Sequence, residues 1–196
     1  MVVLLALLAA PVAIELELAG GGAHAQATPD SYGSYPLAVP ALQARAAIDL
    51  GKTVSFDARF LAILGGEAPA NYDTDTAAFK AVAGLAVMRL HSQAYPQLWF
   101  EGGLGFGHLI SLQQGPSNEL APRRGHAGLV ALLGTGIRFA AKTWLLGAEL
   151  SWVNWTNVEH REDCCGPTRA GLSTQALLLM FSVGYSLVPR RILIGE

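Results

Sequence analysis

Hydrophobic and polar residues alternate along most of this chain, in the manner of strands that have one apolar face. The clearest segment is Leu42–Leu50, where Leu42, Ala44, Ala46, Ile48 and Leu50 share one face and Gln43, Arg45, Ala47 and Asp49 share the other. Successive side chains of a strand point to opposite sides of its sheet. The pattern therefore predicts a strand with one apolar face and one polar or small face.

Seven segments follow this alternation, and an eighth is found near the N-terminus. The seven are Leu42–Leu50, Val54–Leu64, Ala78–Leu90, Gln97–Leu112, Gly128–Phe139, Trp144–Val158 and Leu172–Leu187. Ala78–Leu90 is the weakest, and there we assign Phe79, Leu85 and Val87 to the apolar face and Lys80 and Gly84 to the polar face. In the eighth, Val12–His24, three apolar residues alternate with Glu15 and Glu17.

The gaps between these segments alternate between long and short. The long gaps are Gln26–Ala41, Gly66–Thr76, Gln113–Gly125 and Glu159–Gly171, and the short gaps are Gly51–Thr53, His91–Pro96 and Ala140–Thr143. Up-and-down strands that cross a membrane produce this alternation of gap lengths, with tight turns on one side and longer loops on the other. Eight strands would form the smallest even-numbered bacterial barrel and would place both chain ends on the turn side.

The alternation does not by itself say which face points into a barrel. A soluble lipocalin-like barrel would place the apolar faces inside. Here the polar faces are rich in glycine, which suits a narrow lumen, and they carry a few charges of both signs. Aromatic residues near strand ends resemble the girdles of membrane barrels; the candidates are Tyr95, Phe139, Trp144, Trp152 and Tyr185. We therefore predict an all-β fold, an eight-stranded antiparallel up-and-down transmembrane β-barrel.

The composition agrees with a membrane location and argues against nucleic acid as a partner. The chain is 52% hydrophobic and only 14% charged, against roughly 25% charged in an average soluble domain. Its net charge is −2 and it has no basic run or stripe, which nucleic-acid binding usually requires. Ala170–Val188 is long enough for a membrane helix, but most of its polar residues occupy alternate positions that would share one face of a strand.

The N-terminal residues allow two interpretations, and both imply export. Val2–Ala10 resembles the apolar core of a secretory signal, and Ala23–Ala25 resembles a cleavage site. However, no Lys or Arg precedes that core, and Glu15 and Glu17 interrupt the region that should stay apolar. We favour a division into a signal-like or remnant segment (residues 1–11), a barrel domain (12–188) and a C-terminal tail (189–196).

The polar faces predict a network of charges inside the barrel. Its predicted members are Glu15, Glu17, Arg45, Asp49, Asp57, Arg59, Lys80, Glu101, Arg138 and Glu149. Charges buried in a narrow lumen must pair, because an isolated buried charge is costly. The mixed signs favour a structural plug of ion pairs; a narrow ion path through rearranging pairs is the alternative.

The sequence offers little evidence of catalysis. His108 and Ser111 could be read as part of a lipid-hydrolase site, but residues three apart on a strand point to opposite faces, so the two cannot meet. Cys164 and Cys165 are adjacent in the gap Glu159–Gly171 and could form a vicinal or intermolecular disulfide, remain free thiols, or join a loop metal site. We predict no enzyme activity, no metal and no cofactor.

The glycine-aromatic strand Phe100-Glu101-Gly102-Gly103-Leu104-Gly105-Phe106-Gly107 and the closing strand Leu177–Leu187 resemble the small outer-membrane β-barrels of Gram-negative bacteria, of the OmpA/OmpX kind. Such barrels typically end on an aromatic residue, whereas Val188–Glu196 extends this chain beyond its last strand. The resemblance implies an outer-membrane location, the lipid bilayer and lipopolysaccharide as partners, and a monomer. It implies envelope structure or surface interaction through the long loops, with a narrow ion or small-solute channel as the alternative.

Overall fold

The computed structural model describes residues 12–28, 35–50, 53–69, 76–114, 124–163 and 166–187. Within them the chain forms eight strands: β1 (Val12–Thr28), β2 (Tyr35–Leu50), β3 (Val54–Pro69), β4 (Thr76–His91), β5 (Leu98–Gln114), β6 (Arg124–Ala141), β7 (Trp144–Asp163) and β8 (Gly166–Ser186). Each pairs antiparallel with its sequence neighbours, and β1 pairs with β8 to close the barrel. The predicted fold class is confirmed, and β1 includes all of Val12–His24.

The strands extend further toward the predicted loops than the sequence pattern indicated. The segment Glu159–Gly171, which we expected to be a loop, is mostly paired backbone: β7 continues to Asp163, which pairs with Gly166 on β8. Polar residues can continue a ladder beyond a membrane because backbone hydrogen bonds do not require apolar side chains. The hydrophobic pattern therefore located the membrane-facing part of each strand rather than its end.

The register around the barrel fixes how the strands are staggered. The chain of paired residues that starts at Leu16 passes through Ala46, Ala58, Ala86, Leu104, Ala131, Asn154 and Gln175 and returns to β1 at Gln26. The return point lies ten residues beyond the start (26 − 16). A staggered register requires strands tilted by about 35–45° from the barrel axis.

The apolar faces point outward. Phe56, Phe60, Phe100 and Phe106 are 48%, 54%, 63% and 73% exposed, whereas the intervening polar residues of the same strands are buried. An outward apolar belt around a closed sheet is the arrangement of a membrane barrel, because every backbone group within lipid must be hydrogen-bonded inside the protein. A lipocalin-like cup with an inward apolar face is thereby contradicted.

Strand β4 reverses the predicted orientation. Leu85 and Val87 are buried inside the barrel, while Gly84 and Lys80 lie on the outer face; the side chain of Phe79 lies outside the described residues. Both faces of β4 are largely apolar, so alternation in hydrophobicity could not distinguish them. Register with β3 and β5, which a single segment does not reveal, determines the orientation.

Two backbone features mark where the regular ladder is interrupted. The pairing of β3 with β4 shifts register between Ile63 and Gly66, and Gly65 within this bulge has φ 98°, a conformation that glycine adopts without steric cost. Between β6 and β7, Lys142 has φ 58° in the tight turn. No helix in the described part of the chain is both long enough and apolar enough to cross a membrane.

Candidate functional site

The inside of the barrel is divided into a charged half and an apolar half. The charged half lies toward the short turns, and its buried ionic side chains are Glu15, Glu17, Arg45, Asp49, Asp57, Arg59, Arg89, Glu101, Arg138 and Glu149. The apolar half lies toward the opposite end and is formed by buried residues from all eight strands, among them Leu61, Leu109, Leu132, Trp155 and Leu178. The polar lumen that the sequence predicted therefore occupies only the turn-side half of the interior.

Arg59 is the centre of the charged half. Its Nη1 and Nη2 atoms donate to Oε1 and Oε2 of Glu101, each at 2.7 Å, and Nη1 also donates to Glu149 at 2.8 Å. Nη2 lies 3.3 Å from Asp57. One guanidinium thus joins three carboxylates from β3, β5 and β7, because its planar fork can serve several acceptors at once.

Arg89 reinforces the same cluster from β4. Its Nη2 donates to Oε2 of Glu101 at 2.8 Å and lies 3.5 Å from Asp57 and 3.7 Å from Glu149. The guanidinium carbon also lies 3.9 Å from the centroid of the Trp99 ring, a cation–π contact. Trp99, a buried aromatic residue on the inward face of β5, is therefore part of the charged half.

Two further pairs extend the network toward the turns. Arg45 is bonded to Glu17, and its Nε lies 3.6 Å from Asp57, which links this pair to the Arg59 cluster. Arg138 donates to Glu15 at 2.5 Å. Ser151 donates to Glu149 at 2.5 Å. The four arginines and six carboxylates leave the described lumen with a formal charge of −2 (4 − 6).

The structure places all the predicted lumen charges inside except Lys80, which is exposed on the outer face of β4. The network instead contains Arg89, which the sequence pattern missed. Both differences have one cause, the reversed orientation of β4. With Lys80 on the outer face, β4 would contribute no cation to the buried network, and that absence would have been the only sequence signal for Arg89.

Close packing fills the apolar half. Trp155 is fully buried, and a Cβ atom at Gly107 would lie 2.9 Å from its Nε1 atom and 2.7 Å from Cγ2 of Val130. Only glycine fits there, because real Cβ contacts are longer. Gly107 therefore leaves room in the lumen for the side chains of Val130 on β6 and Trp155 on β7.

The predicted interfacial aromatics occupy different positions on the outer surface. Trp144 and Tyr185 are 57% and 43% exposed and meet edge to face, with ring centroids 5.8 Å apart. Phe139 is 57% exposed on β6, and Tyr95 is 65% exposed in the β4–β5 turn. Trp152 is half-buried, and its Nε1 donates to Gln175 at 3.3 Å.

The remaining candidates form no catalytic or metal arrangement among the side chains that the structure describes. His108 is exposed on the outer face of β5, whereas the side chain of Ser111 lies outside the described residues, as do Cys164 and Cys165. The described His, Cys, Asp and Glu residues include no group of three or more that could hold a metal ion.

Comparison with known proteins identifies the fold but no family. No known protein family and no curated sequence matches the chain. Among solved structures, Ail of Yersinia pestis has a TM-score of 0.55 at 13% identity, covering 88% of this chain and 98% of that one. Neisserial surface protein A has a TM-score of 0.52 at 11% identity, covering 89% and 98%.

The outer membrane protein AlkL, solved in lipid bilayers, has a TM-score of 0.52 at 10% identity and covers 94% of this chain and 93% of that one. At such low identities the likeness concerns the fold alone. The chain has the fold of small bacterial outer-membrane β-barrels, consistent with the resemblance that its strands indicated.

Proposed function

We propose that this protein is a non-enzymatic, monomeric barrel of a bacterial outer membrane, with a closed interior, that serves envelope structure and surface interaction. The outward apolar belt and the fold shared with outer-membrane barrels support the location. The observation that carries the closed interior is the burial of the Arg59 cluster beneath a packed apolar half. An open pore would expose such charges to water.

The energetics of the lumen support a static plug. Each carboxylate of the Arg59 cluster has an arginine within 4.0 Å, and removing one partner of a buried pair leaves an uncompensated charge. An ion crossing the barrel would have to displace these contacts and then pass the apolar cluster. A narrow channel is therefore the weaker alternative.

The β7–β8 hairpin supports a role in surface interaction. Its strands contain 20 and 21 residues, whereas a tilted strand crosses a membrane in about 9–11. The paired backbone therefore continues beyond the belt as a polar ribbon ending at Asp163 and Gly166. Such a ribbon would present its residues to lipopolysaccharide or to a surface partner.

Two measurements on one detergent-extracted sample test this proposal. A folded membrane barrel should migrate differently on a gel before and after boiling; an unchanged migration would contradict the membrane barrel. The same sample in planar bilayers should give no steady channels, while a general porin inserted under the same conditions provides the positive control. Reproducible unitary conductance would contradict the closed interior and favour the narrow channel.

A further inference from the structure

The outer belt is not uniform, and one side of it contains a shallow groove of about 1030 Å³. Its outward-facing lining includes Leu16, Ala46, Ala58, Gly84, Ala86 and Tyr185. Small residues from β2, β3 and β4 form the floor, and larger residues form the rim. The strands β5 to β8 instead present mostly leucine and aromatic side chains to the outside.

The depression follows directly from side-chain size. Ala46, Ala58 and Ala86 lie in one register row across β2, β3 and β4, with Gly84 in the next row. A Cβ atom placed on Gly84 would meet nothing within 4 Å, so this glycine borders open space. In a bilayer such a hollow is filled by lipid or protein, because water has no polar partners there.

The register determines the direction of the groove. A row of paired residues, followed around the barrel, returns to β1 ten residues nearer its loop end. The groove follows such a row and therefore rises toward the loop end from β7 through β8 and β1 to β4. Five interstrand steps of about 4.8 Å give about 24 Å, and a tilt near 45° converts this to a rise of about 17 Å. One leaflet of the hydrocarbon core is about 15 Å deep.

The lower end of the groove has features that suit a lipid headgroup. The edge-to-face pair of Trp144 and Tyr185 lines this end, and aromatic residues of this kind prefer the level of the headgroups. Lys142, exposed in the adjoining turn, precedes Trp144 by two residues. A cation therefore lies at the membrane surface where the groove begins.

We propose that this groove is a binding site for one anionic phospholipid of the turn-side leaflet, with an acyl chain along Ala46, Ala58 and Gly84 and its phosphate near Lys142. This inference rests on the proposed membrane location. A second copy of the chain fits less well: a two-fold contact would place one hollow against another, whereas a single chain fills the depression.

Native mass spectrometry of the detergent-solubilised protein, incubated with phosphatidylglycerol or phosphatidylcholine, tests the site. We expect one retained phosphatidylglycerol per barrel, in preference to phosphatidylcholine by about fivefold, the effect of one surface cation. Gly84→Leu combined with Ala86→Leu should abolish retention of both lipids. Lys142→Asn, whose new side chain also tolerates a positive φ, should remove the preference for the anionic lipid.

Two matched variants separate the groove from general lipid contact. Ala131→Leu changes a small outward residue on β6, and Lys80→Gln removes a cation at the other end of the belt; neither should change retention. The shift on boiling should persist in every variant, which separates loss of this site from failure of the membrane fold. Three outcomes would overturn the proposal: retention with no preference for the anionic lipid, retention that Gly84→Leu combined with Ala86→Leu leaves unchanged, or a dimer that is lost in that double variant.

Discussion

Arg59 on β3 and Glu101 on β5 form a two-pronged ion pair across the strand that separates them. Both bonds measure 2.7 Å, and the two residues are 42 positions apart in the sequence. Because β4 lies between them in the sheet, the pair passes over the inner face of β4 rather than following one ladder. It therefore ties together parts of the wall that backbone hydrogen bonds do not join directly.

Replacement of Arg59 by Met should destabilise the barrel strongly. The change leaves Glu101, Glu149 and Asp57 with Arg89 as their one remaining shared arginine, and breaking a buried pair in this way typically costs about 3–5 kcal/mol. Urea titrations in lipid vesicles, followed by tryptophan fluorescence, measure the free energy of unfolding.

A second substitution shows whether the loss comes from uncompensated charge. Arg59→Met combined with Glu101→Gln removes one of the stranded carboxylates, so part of the stability should return. Lys80→Gln, on the outer face, controls for loss of a cation in general. Full additivity of the two lumen substitutions would contradict a direct interaction, because contacting residues normally show coupling.

Gly107→Val should destabilise the protein through overpacking. The added atoms would enter the space occupied by Trp155 and Val130, and overpacked interiors typically lose about 1–3 kcal/mol. Gly84→Val is the matched control, since its Cβ atom meets nothing within 4 Å. Equal effects of the two substitutions on the urea midpoint would show that strand glycines matter here through their backbone rather than through packing.

Arg89→Lys should weaken the barrel although the charge is retained. A lysine ammonium cannot reproduce both the hydrogen bonds to Glu101 and the cation–π contact of the guanidinium with the Trp99 ring, and that contact alone contributes roughly 0.5–2 kcal/mol. The additional variant Trp99→Leu should lower the cost of Arg89→Lys. If Arg89→Lys lowers stability equally in the Trp99→Leu variant and in the native protein, the Trp99 ring does not contribute to the interaction.

The sequence predicted the barrel because its strands alternate strongly, and it failed where they do not. Leu42–Leu50 has a polar face that carries charges, so its orientation could be read directly. In β4 both faces are apolar apart from Lys80 and Arg89, and each of these supports a different orientation. Only pairing with β3 and β5 decides between them, and pairing depends on residues distant in the sequence.

The predicted members of the lumen network were recognisable, but their contacts were not. Their alternating positions placed Arg59 and Glu101 on inward faces, yet their pairing depends on the register of β4 with both β3 and β5. The apolar half had partial signals, since Leu61 and Ile63 lay on the polar parity of their strand. These residues form the second layer of the interior rather than exceptions to the pattern.

A charge on the outer face provides the most direct test of the membrane orientation. Leu104 is 70% exposed on β5 and Leu98, near the turn, is 39% exposed. Six residues of a strand tilted near 45° separate them by about 14 Å along the membrane normal, which places Leu104 near the midplane if Leu98 marks the interface. Leu104→Arg should therefore cost about 2–4 kcal/mol in vesicles and Leu98→Arg about 0–1 kcal/mol. For a barrel surrounded by water the order would differ, because both side chains would be solvated and the more exposed site would tolerate arginine at least as well. Paired urea titrations of the two variants in lipid vesicles decide between these cases, and a smaller loss at Leu104 than at Leu98 would contradict the membrane orientation.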